Sequence, residues 1–161
     1  MSASKPAAPE PTEIAGRYLV EKKLGAGAFG TVYKAKDKEL GRLVAIKTIR
    51  LEGLAASQAS LEDLLKRFKQ EAQVAARLKH PNIVGLYDFG EGFGSAYLAM
   101  EFLEGPNLQS LLKNDPERLK RNWRDWFVQA ARGIAAAHSK GILHRDLKPA
   151  NLVLDEHGIL R

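Results

Sequence analysis

Three short stretches of this chain carry residues that could handle phosphate together. The first is Gly25-Ala-Gly27-Ala-Phe-Gly30. Glycines at this spacing let main-chain amides approach an anionic group closely. Dinucleotide-binding folds and plain turns use the same pattern, so the context has to discriminate. A dinucleotide site needs a helix opening at the last glycine, whereas Thr31-Val-Tyr-Lys34 favours a strand. The Gly-Lys-Ser/Thr of a Walker loop is absent. Two readings remain, a hairpin tip lying over phosphates or an ordinary turn.

The second stretch is Leu43-Val-Ala-Ile-Lys-Thr-Ile49. Strand alternation places Ala45 and Lys47 on one face, so a small residue could leave room for a flat base and the cation could meet its phosphates. A solvent-facing strand lysine is the plainer reading of Lys47 alone. Glu71 argues against it, because it falls in the apolar stripe Leu64, Phe68, Ala72, Ala75 and Leu78 of a helix. A carboxylate on such a stripe needs a partner, and Lys47 is the natural candidate.

The third stretch is His144-Arg-Asp-Leu-Lys-Pro-Ala-Asn151. Acid, lysine and amide at spacings of two and three can orient an attacking hydroxyl, neutralise a phosphoryl group and hold a metal. A charged surface turn would explain these residues singly. It does not explain their joint occurrence downstream of Gly25, Lys47 and Glu71.

The elements that must position these groups follow from periodicity. Arg17–Leu24, Thr31–Lys36 and Leu43–Ile49 read as strands, with the glycines at a hairpin turn. A helix opens at a capping box of Ser60 and Asp63 and is ended by His80-Pro-Asn82. Two more strands follow, Ile83–Phe89 and Ser95–Met100, joined by Gly90-Glu-Gly-Phe-Gly94. Beyond Met100 the pattern turns helical. Leu108–Lys113 forms a short helix and Trp123–Ser139 a long one, with Trp126 or Phe127, Ala130, Ile134 and Ala137 on one stripe. Gly141 ends it. The division is a leader over 1–16, a sheet-rich lobe over 17–100, a hinge over 101–107 and a helical lobe begun over 108–161.

The bulk numbers fit a soluble domain. The chain has 161 residues and no cysteine, which excludes disulfides and thiolate metal sites and suits the cytoplasm. No apolar run is long enough to span a bilayer, and the Pro/Ala-rich leader lacks the apolar stretch of a signal peptide. The net charge of +6 is spread from Lys5 to Arg161 without blocks or basic-aromatic alternation, so no nucleic-acid partner is expected.

Taken in order, Leu24-Gly-Ala-Gly-Ala-Phe-Gly-Thr-Val-Tyr33, Val44-Ala-Ile-Lys47, Glu71, His80-Pro-Asn-Ile-Val84, Met100-Glu-Phe-Leu103 and His144–Asn151 resemble the eukaryotic-type protein kinases. The resemblance runs from about Arg17 to Arg161. Lys148 resembles the Ser/Thr branch, and Ala150 with Ala130-Ala-Arg-Gly-Ile-Ala-Ala-Ala-His138 is similar to bacterial members. It implies an α+β, two-lobe fold: a five-stranded antiparallel sheet with one helix, then a partial helical lobe. It also implies ATP and Mg²⁺ as cofactors and a protein Ser/Thr hydroxyl as acceptor. By position, Gly25, Gly27 and Gly30 would cover ATP, and Leu24, Val32 and Ala45 would sandwich the adenine. Met100 falls at the gatekeeper position, and the backbone of Glu101 and Leu103 would meet the adenine edge. Lys47, paired to Glu71, would hold the α- and β-phosphates. Asp146 would accept the hydroxyl proton, Lys148 would steady the γ-phosphate and Asn151 would bind Mg²⁺. His144 would be a packing residue.

The same resemblance implies an Asp-Phe-Gly metal ligand shortly after the strand pair that follows Asn151, and Arg161 is reached before it. Asp88-Phe89-Gly90 spells those letters far upstream and is not that ligand. The expectation is therefore that these residues alone do not transfer phosphate, are marginally folded, and expose an apolar stripe on the long helix. Two alternatives stand beside an active kinase. One is a non-catalytic module that binds a nucleotide or a partner. The other is a small-molecule phosphotransferase, disfavoured by Arg145 and Lys148.

Overall fold

The computed structural model describes residues 11–27, 30–50, 58–92 and 95–161. Among these described residues six strands form one antiparallel sheet. In chain order they are β1 (Glu13–Ile14), β2 (Tyr18–Gly27), β3 (Gly30–Asp37), β4 (Leu43–Arg50), β5 (Leu86–Gly92) and β6 (Ser95–Glu101). Their order across the sheet is β1-β2-β3-β4-β6-β5. The helix α1 (Gln58–Ala76) lies between β4 and β5, and α2 (Leu108–Asn114) and α3 (Pro116–His138) follow the sheet.

The sheet thus has six strands where five were expected. The extra strand is β1, whose two residues pair Glu13 with Leu19 and Ile14 with Tyr18. Ala15 and Gly16 turn the chain with φ of 53° and 65°, and Arg17 N–H closes the turn on the Ile14 carbonyl at 3.2 Å. Two successive positive φ values match the twist of a tight hairpin. Alanine gives no advance sign of that conformation, and two residues are too few to alternate, so the strand is invisible to periodicity. Burial of Ile14 holds it in place.

Register decides which side chains share a face. Tyr33 pairs with Ile46, and Ile46 with Ala99. These residues join Ile14, Tyr18, Ala35, Val44 and Tyr97 in the core of the first lobe. The opposite face carries Val32, Lys47 and Leu98 in one cross-strand row, and Lys34, Ala45 and Met100 in the next. A one-residue slip would exchange the two sets.

The second core gathers Leu108, Leu111, Trp126, Leu154 and Leu160. Trp126 is buried and Phe127 exposed, which settles which of the two lies on the packed stripe. The helix α3 begins seven residues before the expected Trp123. Asp115 caps it by accepting the Arg118 N–H at 3.0 Å, and Pro116 occupies the first turn. At the other end Gly141 takes φ 73°, and the Ile142 N–H returns to the Ala137 carbonyl at 3.0 Å. The helix α1 starts at Gln58, so Ser60 and Asp63 fall inside its first turns, and it stops at Ala76 ahead of the His80-Pro-Asn82 segment.

Candidate active site

The β2–β3 hairpin carries the glycines, with Gly25 opposite Val32 and Gly27 opposite Gly30. The three are not equivalent. A Cβ on Gly30 would lie 1.7 Å from the Thr48 carbonyl oxygen, and its φ is +150°. Glycine at 30 is therefore demanded by the sheet itself. Among the described residues nothing lies within 4 Å of a Cβ built on Gly25 or Gly27. Their lack of a side chain serves no packing among the described residues and leaves the main chain open, which suits a phosphate-bearing ligand. Leu24 beside them is half-exposed.

Below the hairpin, Ala45 is buried while Lys47, two residues on, is exposed on the same face. Val32 and Leu98 flank Lys47 across the sheet, and Met100 lies beside Ala45. The main chain of Glu71 belongs to α1, but its side chain lies outside the described residues, and so does its expected pairing with Lys47. At the end of β6 the Glu101 N–H is taken by the Gly85 carbonyl at 2.8 Å. Leu103 follows in the irregular stretch that leads to α2.

The loop after α3 draws three polar residues together. Lys148 Nζ lies 3.0 Å from Asp146 Oδ1 and 2.8 Å from Oδ2. Asn151 Nδ2 donates to the Asp146 carbonyl at 2.8 Å and to Oδ2 at 3.1 Å, so Asn151 Oδ1 is the atom left for a cation. The turn that achieves this has Arg145 at φ +60°, an uncommon conformation for a residue with a side chain. The Asp146 N–H donates to the His144 carbonyl at 2.8 Å and to its Nδ1 at 3.3 Å. His144 is itself exposed, so it shapes the loop by hydrogen bonding rather than by filling a core.

The bond from Lys148 holds the Asp146 carboxyl below the usual carboxylate range; its slight desolvation opposes this and the Asn151 amide adds to it. Asp146 is therefore a carboxylate at neutral pH, able to accept a hydrogen bond from a hydroxyl. Among the described residues no group of three or more His, Cys, Asp or Glu side chains could hold a metal by itself. A cation here would rest on Asn151 and on oxygens of a phosphorylated ligand.

Two features were not expected from the sequence. An apolar cavity of about 240 Å³ lies behind the loop, lined among others by Leu78, Ile83, Ile134, Ala137, Ile142 and Leu147. It touches His144 and Asn151 but none of the hairpin glycines Gly25, Gly27 and Gly30, so it is separate from the hairpin. The other feature is a carboxylate–guanidinium chain through Glu101, Arg161 and Asp155. The upstream Asp88-Phe89-Gly90 lies on β5, where Asp88 accepts the Tyr18 hydroxyl at 2.8 Å and sits 3.6 Å from the Arg17 guanidinium. Those bonds tie it to the first-lobe core.

The family model described as protein kinase domain matches residues 18–161. A probable serine/threonine-protein kinase of Streptomyces coelicolor is 38% identical over 92% of this chain and 22% of its own length. The serine/threonine-protein kinase PknA of Mycobacterium tuberculosis is 36% identical, covering 90% of this chain and 34% of that protein. For PrkC of Bacillus subtilis the identity is 36%, over 92% and 22%. The chain thus spans between about a fifth and a third of these relatives. A crystal structure of a mutant PknI kinase domain of Mycobacterium tuberculosis superposes with a TM-score of 0.74 at 32% identity, covering 96% of this chain and 60% of that one. No helix among the described residues is long and apolar enough to cross a membrane.

Proposed function

This chain belongs to the protein kinase domain family, and from that membership we propose that it is part of a Ser/Thr protein kinase that moves the γ-phosphoryl group of ATP to a protein hydroxyl. The Ser/Thr assignment is supported by the names of the relatives and by Lys148 in the catalytic loop. One observation carries the reading: Lys148 and Asn151 both reach the Asp146 carboxylate, at 3.0 and 3.1 Å, in a chain whose glycine hairpin leaves Gly25 and Gly27 open among the described residues.

In this reading Gly25, Gly27 and Gly30 cover the phosphates, and Leu24, Val32 and Ala45 enclose the adenine. Met100 flanks its inner edge, while the Glu101 carbonyl and the Leu103 amide meet its polar edge. Lys47, held by Glu71, binds the α- and β-phosphates. The acceptor oxygen attacks the γ-phosphorus as the bond to the β–γ bridging oxygen breaks, ADP leaves, and the hydroxyl proton passes to Asp146. Lys148 offsets charge on the γ-phosphoryl oxygens. Asn151 would hold Mg²⁺, which supplies neutralisation of the phosphates. ATP as donor and the lack of cysteine support the cytoplasm as the compartment.

The test is nucleotide binding. Wild-type chain should bind ATP and adenosine. Lys47→Met should weaken ATP about tenfold, the scale of a charge-assisted contact, and leave adenosine within about twofold. A chain that binds neither ligand overturns the proposal. Binding without any phosphoryl transfer in an extended form of the protein would favour the non-catalytic module instead.

A further inference from the structure

We propose that Arg161 is a positioning residue for the nucleotide base, strapping the end of β6 to the turn after the catalytic loop through Glu101 and Asp155. The inference rests on the nucleotide-binding reading given above. Arg161 Nη1 lies 3.3 Å from Glu101 Oε2, while its Nε and Nη2 reach Asp155 Oδ2 at 3.3 and 3.1 Å. One guanidinium therefore serves two carboxylates that come from the two lobes.

Both ends of the strap are anchored. Asp155 is buried, and its Oδ1 accepts the His157 and Ile159 N–H groups at 3.0 and 2.9 Å. It cannot shift without opening its own turn. The main chain of Arg161 exchanges two hydrogen bonds with Val153 at 2.9 and 2.8 Å. At the far end, Glu101 Oε2 also accepts the Gly85 N–H at 3.2 Å. The Glu101 N–H meanwhile donates to the Gly85 carbonyl at 2.8 Å. The side chain and the amide of Glu101 are thus both fixed, immediately beside its carbonyl, the group assigned to the base. The geometry calls for arginine, because its planar fork can serve two acceptors at once where a lysine ammonium is a point charge. The side chains of Arg161 and Glu101 are only 23% and 25% exposed, so solvent screens their pairing incompletely.

The experiment compares adenosine affinity by calorimetry, and amide exchange at Glu101, in wild type, Arg161→Met, Arg161→Lys, Glu101→Gln and the double variant R161M/E101Q. Arg161→Met should weaken adenosine about tenfold and speed exchange, and Arg161→Lys should recover only part of the loss. The double variant should be no worse than Arg161→Met by more than about twofold, because both substitutions break one contact. Unchanged adenosine affinity in Arg161→Met overturns the positioning role, even if exchange or melting temperature moves. Additive losses in the double variant overturn it too. Wild-type chain that binds no adenosine removes the nucleotide reading and this role with it, whereas normal wild-type binding with an indifferent Arg161→Met removes this role alone. Should Arg161→Met fail to fold, the near-isosteric Glu101→Gln carries the same comparison against wild type.

Discussion

Gly133 of α3 and Asn82 of the turn after α1 pack main chain against main chain: a Cβ at 133 would sit 2.6 Å from the Asn82 carbonyl oxygen. Asn82 also donates from Nδ2 to the Leu160 carbonyl at 2.8 Å and to Gln129 Oε1 at 3.3 Å. Gln129 Oε1 in turn accepts the Leu160 N–H at 2.7 Å. The contact therefore joins the first lobe to α3 and to the segment beyond the His144–Asn151 loop. Gly133→Ala should destabilise the chain by about 1–3 kcal/mol, the usual cost of overpacking, read as a lower midpoint in urea. An unchanged midpoint would show that the turn can retreat from the helix freely.

The glycines of the hairpin should separate stability from binding. Gly25→Ala meets nothing within 4 Å among the described residues, so its stability should stay within about 0.5 kcal/mol of wild type, while ATP affinity falls. Gly30→Ala drives a methyl group to 1.7 Å from the Thr48 carbonyl oxygen and should unfold the hairpin whether or not nucleotide is present. Thermal melts with and without ATP distinguish the two. Loss of stability in Gly25→Ala would mean that the open cradle is filled in solution.

Acid should weaken the fold through Asp37. Its carboxylate is fully buried and receives Arg17 Nε and Nη2 at 2.9 and 2.7 Å. The Arg17 guanidinium, helped by the Glu39 and Leu40 amides and opposed by burial, lowers its pKa from 3.8 to about 2. A folded-state pKa below the unfolded value means that the unfolded chain binds the proton first. The stability from this pair is complete above the unfolded value and is lost as pH falls from 3.8 towards 2. Asp37→Asn should be less stable at neutral pH and show a flatter decline across that window. A decline as steep as wild type would assign acid sensitivity to other carboxylates.

The two aromatic neighbours on α3 should differ sharply. Trp126 is buried and donates from Nε1 to the Gly158 carbonyl at 3.3 Å, so Trp126→Ala should cost about 3–5 kcal/mol. Phe127 is 68% exposed and touches Trp123 edge to face, and Phe127→Ala should cost under about 1 kcal/mol. Urea titrations followed by circular dichroism measure both. Equal losses would mean that the exposed face of α3 is covered in solution.

What the sequence determined by itself is chemistry written locally. The glycine hairpin, the small-residue-then-lysine strand and the loop from His144 to Asn151 each occupy a few consecutive residues, so turn preference, alternation and donor chemistry announce them. The helices and most strands were legible for the same reason, with boundaries displaced where the stop signal is weak, as at Ala76. The start of α3 was written in Asp115 and Pro116 as well, a cap followed by a first-turn proline.

Tertiary structure alone decided relationships between distant positions. Arg161 meets Glu101 across 60 residues, and Gly133 meets the turn at Asn82 from another lobe. Which of Trp126 and Phe127 is buried depended on how α3 rotates against Leu154 and Leu160. The two-residue β1 exists because Ile14 finds a core to enter. None of these is encoded by a propensity, since each depends on a partner that only the folded chain brings within reach.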